Sequence, residues 1–129
     1  HATLRTHAHE IEKYSMIYHD EAERDAAWRA IEAACPGVEL TSSLPRNMEV
    51  NAPGVTKGSG LLALAAHLGL TRAQTMAVGD SGNDHAMIEA AGLGVAMGNA
   101  TDDIRKIADV TTDDNNHDGV AAAIEKYVL

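Results

Sequence analysis

The ten residues Thr75 to Asp84 (TMAVGDSGND) leave little choice about the architecture around them. Thr75 to Gly79 is a short apolar run of strand character that stops at Asp80. Ser81-Gly82 then turn the chain, and Asn83-Asp84 open a helix with Met87, Ile88 and Ala91 on one face. Two carboxylates and one amide therefore gather where a strand ends. In open α/β sheets that carboxyl edge is where ligands bind, because loops converge there and helix N-termini turn free N–H groups toward it. Hard oxygen ligands so placed suit Mg²⁺, which takes one or two carboxylates and keeps water or phosphate oxygens in its other positions. An Asx-turn at Asp80 and a helix-favouring acid at Asp84 would explain either residue alone. A turn, however, needs neither both acids nor Asn83 between them.

The rest of the chain is consistent with such a sheet. From Ala52-Pro53-Gly54 onward helices and strands alternate: a helix over Gly58 to Leu68 with Leu61, Leu64, Ala65 and Leu68 on one stripe, the strand ending at Asp80, and a helix over Asn83 to Ala91. A buried strand follows at Leu93 to Met97, a short helix at Asp102 to Ala108, and an edge strand at Asp109 to Thr112. The last helix, Gly119 to Val128, presents Val120, Ile124, Tyr127 and Val128. That alternation, with short glycine-containing joints, predicts a parallel sheet covered on its faces. Before Ala52 the pattern differs. Tyr14 to Tyr18 reads as a strand and Asp20 to Ala34 as a helix with Ala27, Ile31 and Ala34 inward, closed by Pro36-Gly37. Val38 to Ser43 and Arg46 to Asn51 alternate as a half-buried hairpin around Pro45.

Composition narrows the function. The chain has 129 residues, enough for one ordinary domain, and no Phe, so its core is aliphatic. Met87 and Met97 read as core filler. A net charge of −9 with no basic cluster argues against nucleic acid or an anionic membrane as partner. A lone cysteine, Cys35, forms no internal disulfide and suits a reducing cytoplasm. The opening residue is His1, as expected for a piece of a longer protein. His1, His7 and His9 lack the acid or Cys framework of a metal site and read as a frayed terminus.

Lys57 lies in Gly54-Val55-Thr56-Lys57-Gly58-Ser59-Gly60, just before a helix, where an ammonium can hold phosphate and offset repulsion between acids. The loop is not a Walker A motif, because the first glycine which that motif places before its Lys is absent before Lys57. Gly58-Ser59-Gly60-Leu61-Leu62-Ala63 does match a loose dinucleotide fingerprint, with Asp80 about 20 residues on. A dinucleotide module using Gly58, Gly60 and Asp80 is thus the alternative, weakened by the six residues Ala52 to Lys57 between strand and glycines.

Taken together, Lys57 in GVTKG, GDSGND at Gly79 to Asp84, AGLGVAMGNA at Ala91 to Ala100, and HDGVAAAIEKYVL at His117 to Leu129 resemble the C-terminal half of the haloacid dehalogenase-like phosphatases of the Cof type. The resemblance implies an α/β fold: residues 1–52 as the remnant of an α/β cap, and residues 53–129 as the C-terminal part of a Rossmann-like core. It also implies Mg²⁺ as cofactor and a small phosphorylated metabolite, such as a sugar phosphate, as substrate. Lys57 matches the lysine that steadies the nucleophile and the transferred phosphoryl group. Asp80 matches the acid that ligates Mg²⁺, Asn83 the amide that touches phosphate, and Asp84 the second acid of the metal site. Charge stabilisation of that kind is what phosphoryl transfer chiefly needs.

The sequence departs from the family's pattern in one respect. These enzymes attack with the first Asp of an Asp-x-Asp pair, and no such pair occurs here. Asp20 follows YSMIY, but Ala22 stands two residues on; Thr41-Ser42-Ser43 lies within the hairpin and reads as a turn. A lysine and a metal acid without a nucleophile cannot form an aspartyl-phosphate. The expectation is half an active site, inactive alone, and a strand at Thr75 to Gly79 whose unpaired edge invites a homo-oligomer. His85 and His117 lie near the site in sequence and are candidates for substrate contact, although His85 follows Asp84 on a helix where capping or facing solvent is the alternative.

Overall fold

The computed structural model describes residues 5–129 and divides into two compact units, one ending at Val55 and one running Thr56–Leu129. His1 falls outside the described residues.

In the first unit, β1 (Lys13–Ile17), β3 (Asn47–Asn51) and β2 (Glu39–Thr41) form an antiparallel sheet in that order. The hairpin is held at its turn by Asn47, only 7% exposed, whose Oδ1 accepts from Ser42 Oγ, Ser43 N and Leu44 N at 2.9 to 3.1 Å. Thr41-Ser42-Ser43 is therefore strand end and turn, as read from the sequence. Helix α1 (Glu21–Ala34) starts at Asp20, whose carboxylate accepts from Glu23 N. Its expected inward face is shallower than predicted: Ala27 and Ile31 are half-buried, but Ala34 is exposed and the helix has no fully buried residue.

The second unit carries a parallel sheet in the order β4-β5-β6, with β4 Met76–Gly79, β5 Leu93–Ala96 and β6 Val110–Thr111. Four helices accompany it: α2 (Lys57–His67), α3 (His85–Ala90), α4 (Asp102–Ile107) and α5 (Gly119–Tyr127). Ala77, Ile88, Ala91, Ala96, Met97, Ala100 and Ile104 form the core, with Met87 partly buried against it. Aliphatic filling and a methionine role in packing are what the sequence led one to expect. Arg72 closes the end of α3, its guanidinium donating to the carbonyls of Glu89, Ala90 and Ala91, a cation placed where the helix dipole is negative.

Two predicted stripes point elsewhere. On α2 the inward residues are Gly58, Leu61 and Ala65, whereas Leu64 and Leu68 are 57% and 61% exposed. The reason is close helix packing. A Cβ on Gly58 would collide with the Ala86 carbonyl of α3, so glycine lets the two backbones approach and rotates the leucines outward. On α5 the buried residues are Gly119 and Ala123, with Val120, Ile124 and Val128 exposed and Tyr127 half-buried. Small residues make both contacts, so neither helix sits on its most apolar side.

Candidate functional site

The site is built at the carboxyl ends of the three parallel strands. The chain leaves β4 at Gly79, and Asp80 is the first residue beyond it. A single 3₁₀ turn, Gly82–Asp84, then delivers the chain into α3. The turn is closed by Asp84 itself. Its carboxylate folds back so that Oδ2 accepts from Asp80 N at 3.0 Å and from Ser81 N at 3.3 Å. The other oxygen, Oδ1, accepts from Lys57 Nζ at 2.6 Å. Lys57 is the first residue of α2, which Thr56 starts with a capping box: Thr56 Oγ1 accepts from Ser59 N, and Ser59 Oγ accepts from Thr56 N.

Lys57 and Asp84 are thus brought together across 27 positions of sequence, and their exposures differ. The Asp84 side chain is 9% exposed and that of Lys57 49%. Burial pushes the Asp84 carboxyl up. The hydrogen bond from Lys57, those from the Asp80 and Ser81 amides, and the Lys57 charge outweigh it, and the group lies below the usual carboxylate range. Asp84 is accordingly ionised at neutral pH with both oxygens engaged. Lys57 has no other acceptor among the described residues, so two of its three N–H bonds are not engaged by them.

Asp80 and Asn83 are committed differently. Asp80 is half-buried and accepts from Asn99 Nδ2 at 2.8 Å through Oδ2; among the described residues nothing reaches its Oδ1. Asn83 accepts from Ser81 Oγ at 2.8 Å through Oδ1, and its amide N–H₂ has no partner among the described residues. An open carboxylate oxygen, an open amide donor and an ammonium are therefore offered from one loop and the helix start beside it. Oxygen donors of this type fit Mg²⁺, with Asp80 the residue whose oxygen is available. Asp84, expected as a second metal acid, has its two oxygens taken by Lys57 and the turn. Among the described residues no three His, Cys, Asp or Glu side chains gather into a complete metal site.

The remaining candidates lie outside this arrangement. His85 pairs with Glu89 at 3.4 Å on the exposed side of α3, and His117 with Asp114 at 2.7 Å in the loop after β6. His7 and His9 both meet Glu10. The dinucleotide alternative loses its first glycine. Gly58 lies inside α2, packed on Ala86, and not in a strand-to-helix turn where a pyrophosphate would approach. Asn99 had no role in the sequence reading, although it stands in the MGNA run; what marks it is a pair of hydrogen bonds, which spacing does not show.

Comparison with known proteins decides the family. Residues 3–124 match the haloacid dehalogenase-like hydrolases. The chain belongs to that family. A 5-amino-6-(5-phospho-D-ribitylamino)uracil phosphatase of Bacillus subtilis is 53% identical over 92 residues, 71% of this chain and 37% of that protein. A phosphoglycolate phosphatase of Methanopyrus kandleri is 46% identical over 74 residues, 57% of this chain and 32% of that protein. Among solved structures, a haloacid dehalogenase-like hydrolase from B. subtilis superposes with a TM-score of 0.81 at 39% identity, over 92% of this chain and 41% of that one. A sugar phosphatase of the superfamily's subclass IIB gives 0.75 at 32% identity, over 80% and 40%. This chain thus spans about a third of the length of such curated relatives. The haloacid dehalogenase-like fold and the mixed α/β class expected from the sequence both hold.

Proposed function

We propose that this chain is the cation- and phosphate-binding part of a Mg²⁺-dependent phosphatase acting on small phosphate monoesters such as sugar phosphates. The observation that carries the reading is the 2.6 Å contact of Lys57 with Asp84 beside the open carboxylate of Asp80. In this reading Asp80 holds Mg²⁺, which when bound supplies positive charge to the phosphate oxygens. Lys57 binds the phosphoryl group with the N–H bonds not given to Asp84, and Asn83 donates its amide to a phosphate oxygen. Asp84 supports the metal site by orienting Lys57 and fixing the Asp80 backbone. We read residues 1–52 as part of an α/β cap and residues 53–129 as part of the Rossmann-like core. The phosphatase names of the relatives support the substrate class.

No Asp-x-Asp pair is present in the sequence, so in this reading the nucleophile that would form the aspartyl-phosphate is missing from this chain, which is inactive alone. Incubation of the chain with p-nitrophenyl phosphate and Mg²⁺ is expected to give no turnover above that of Asp80→Ala. Turnover abolished by that substitution would place the nucleophile within these residues. Among the described residues no helix is long and apolar enough to cross a membrane; a cytoplasmic setting is part of this reading on the ground of the lone cysteine.

A second reading, association through the sheet edge, is favoured by one observation. Among the described residues strand β4 pairs only with β5. Leu61, Leu64, Leu68, Leu70 and Met76 line an apolar groove of about 130 Å³ in the same unit. Light scattering at high concentration is expected to show a dimer or larger species; a monomer throughout would remove this reading and leave the phosphatase reading untouched.

A further inference from the structure

Asp80 Oδ2 is not left to solvent. Asn99, in the loop that follows β5, donates to it from Nδ2 at 2.8 Å. The other end of the same amide accepts from Asn115 N at 3.1 Å, in the loop that follows β6. Only a group that donates on one side and accepts on the other satisfies both contacts. An aspartate at 99 would set two acceptors face to face, and an alanine would lose both bonds. The backbone repeats the link, since Thr101 N donates to the Asp80 carbonyl at 2.9 Å and Gly98 N to the Asp113 carbonyl at 3.0 Å. The three strand ends are therefore stitched together, and the stitch that reaches a functional atom is the Asn99 side chain.

We infer that Asn99 is a positioning residue. It holds the Asp80 carboxylate by Oδ2 so that Oδ1 is the oxygen offered to a divalent cation, and it ties that orientation to the loop after β6. The inference rests on the proposed role of Asp80. Partners that orient a ligating carboxylate change metal affinity by about 10–100-fold when removed. The same loop is braced elsewhere by Arg105, whose Nη2 donates to the Gly98 carbonyl at 2.7 Å without touching Asp80. That contact separates a role in orienting Asp80 from a role in stiffening the loop.

The test is titration of the 129-residue chain with Mn²⁺, an oxygen-preferring probe for Mg²⁺ followed by its electron spin resonance, in wild type, Asn99→Ala, Arg105→Ala and Asp80→Ala. Asn99→Ala is expected to weaken binding about 10-fold or more, with Arg105→Ala within roughly twofold of wild type. Asn99→Ala binding like wild type would overturn the inference while leaving the Asp80 site in place. Equal weakening by Asn99→Ala and Arg105→Ala would also overturn it, since loop stiffness would then suffice. Asp80→Ala binding as well as wild type would show that the site reading itself fails, and the inference with it.

Discussion

Replacing Lys57 by Met is expected to lower the stability of the second unit by about 2 kcal/mol at pH 7, roughly 10 °C in Tm for a unit of this size. Methionine keeps most of the apolar stem and removes only the ammonium, so the loss belongs to the contact with Asp84. The cost arises because the two partners are buried unequally. Lys57 is half-exposed and can return to water, whereas the Asp84 carboxylate is nearly enclosed and would retain only two backbone donors. Exposure of the lysine is also why the figure sits below the cost of breaking a fully buried pair. The double variant Lys57→Met with Asp84→Asn is expected to lose less than the sum of the two single changes, the sign of a direct coupling.

The pH dependence identifies the source. Asp84 has its carboxyl lowered in the folded state, so its contribution is present above the unfolded value of about 4 and is lost as pH falls through the folded value. Removing Lys57 takes away a lowering influence while burial, which raises, remains. The folded carboxyl of the variant thus titrates higher than that of wild type, and acidification favours the variant relative to wild type. The stability gap is expected to be largest near neutral pH and to narrow toward pH 3 to 4. Urea denaturation at several pH values measures it; a gap constant across that range would mean that the lysine acts through packing alone.

How much of this was legible in the sequence depends on what each signal encodes. The strand–turn–helix around Asp80 was legible because apolar run, turn residues and acids change character within ten positions. Lys57 stood out in the sequence as a cation just before a helix, but its partnership with Asp84 spans 27 positions and depends on α2 meeting the turn. The stripes on α2 and α5 were misjudged for a physical reason: periodicity reports which residues share a face, not which face has a neighbour. Gly58 and Gly119 allow close backbone approach and Ala123 is buried, while Leu64, Leu68 and Val120 stay exposed. Asn99 lay within the AGLGVAMGNA run but was given no role of its own there. Its meaning is two hydrogen bonds made in opposite directions, and these exist only after three loops converge.

The two glycines of GDSGND look equivalent in the sequence, yet their substitution is expected to differ sharply. A Cβ on Gly79 would stand 2.5 Å from the Asp84 Cβ, 2.8 Å from its Cγ and 2.9 Å from its Oδ2. That side chain cannot step aside cheaply, because its Oδ2 is hooked to the Asp80 and Ser81 amides and its Oδ1 to Lys57. Gly79→Ala must therefore either expel Asp84 from its buried position or push the end of β4 away from it. Overpacking alone costs about 1–3 kcal/mol, and stranding the Asp84 hydrogen bonds adds about 1–3 kcal/mol more. A loss of about 3 kcal/mol or greater is expected. Around Gly82 nothing lies within 4 Å of the added carbon, and its φ is not in the left-handed range, so Gly82→Ala is expected within about 0.5 kcal/mol of wild type. Denaturation of both variants checks the contrast, and Mn²⁺ titration of Gly79→Ala adds a second readout, since the Asp80 amide is one of the groups Asp84 holds. Similar stability for the two variants would mean that Asp84 does not close the turn, and the orienting role assigned to it would fall with that result.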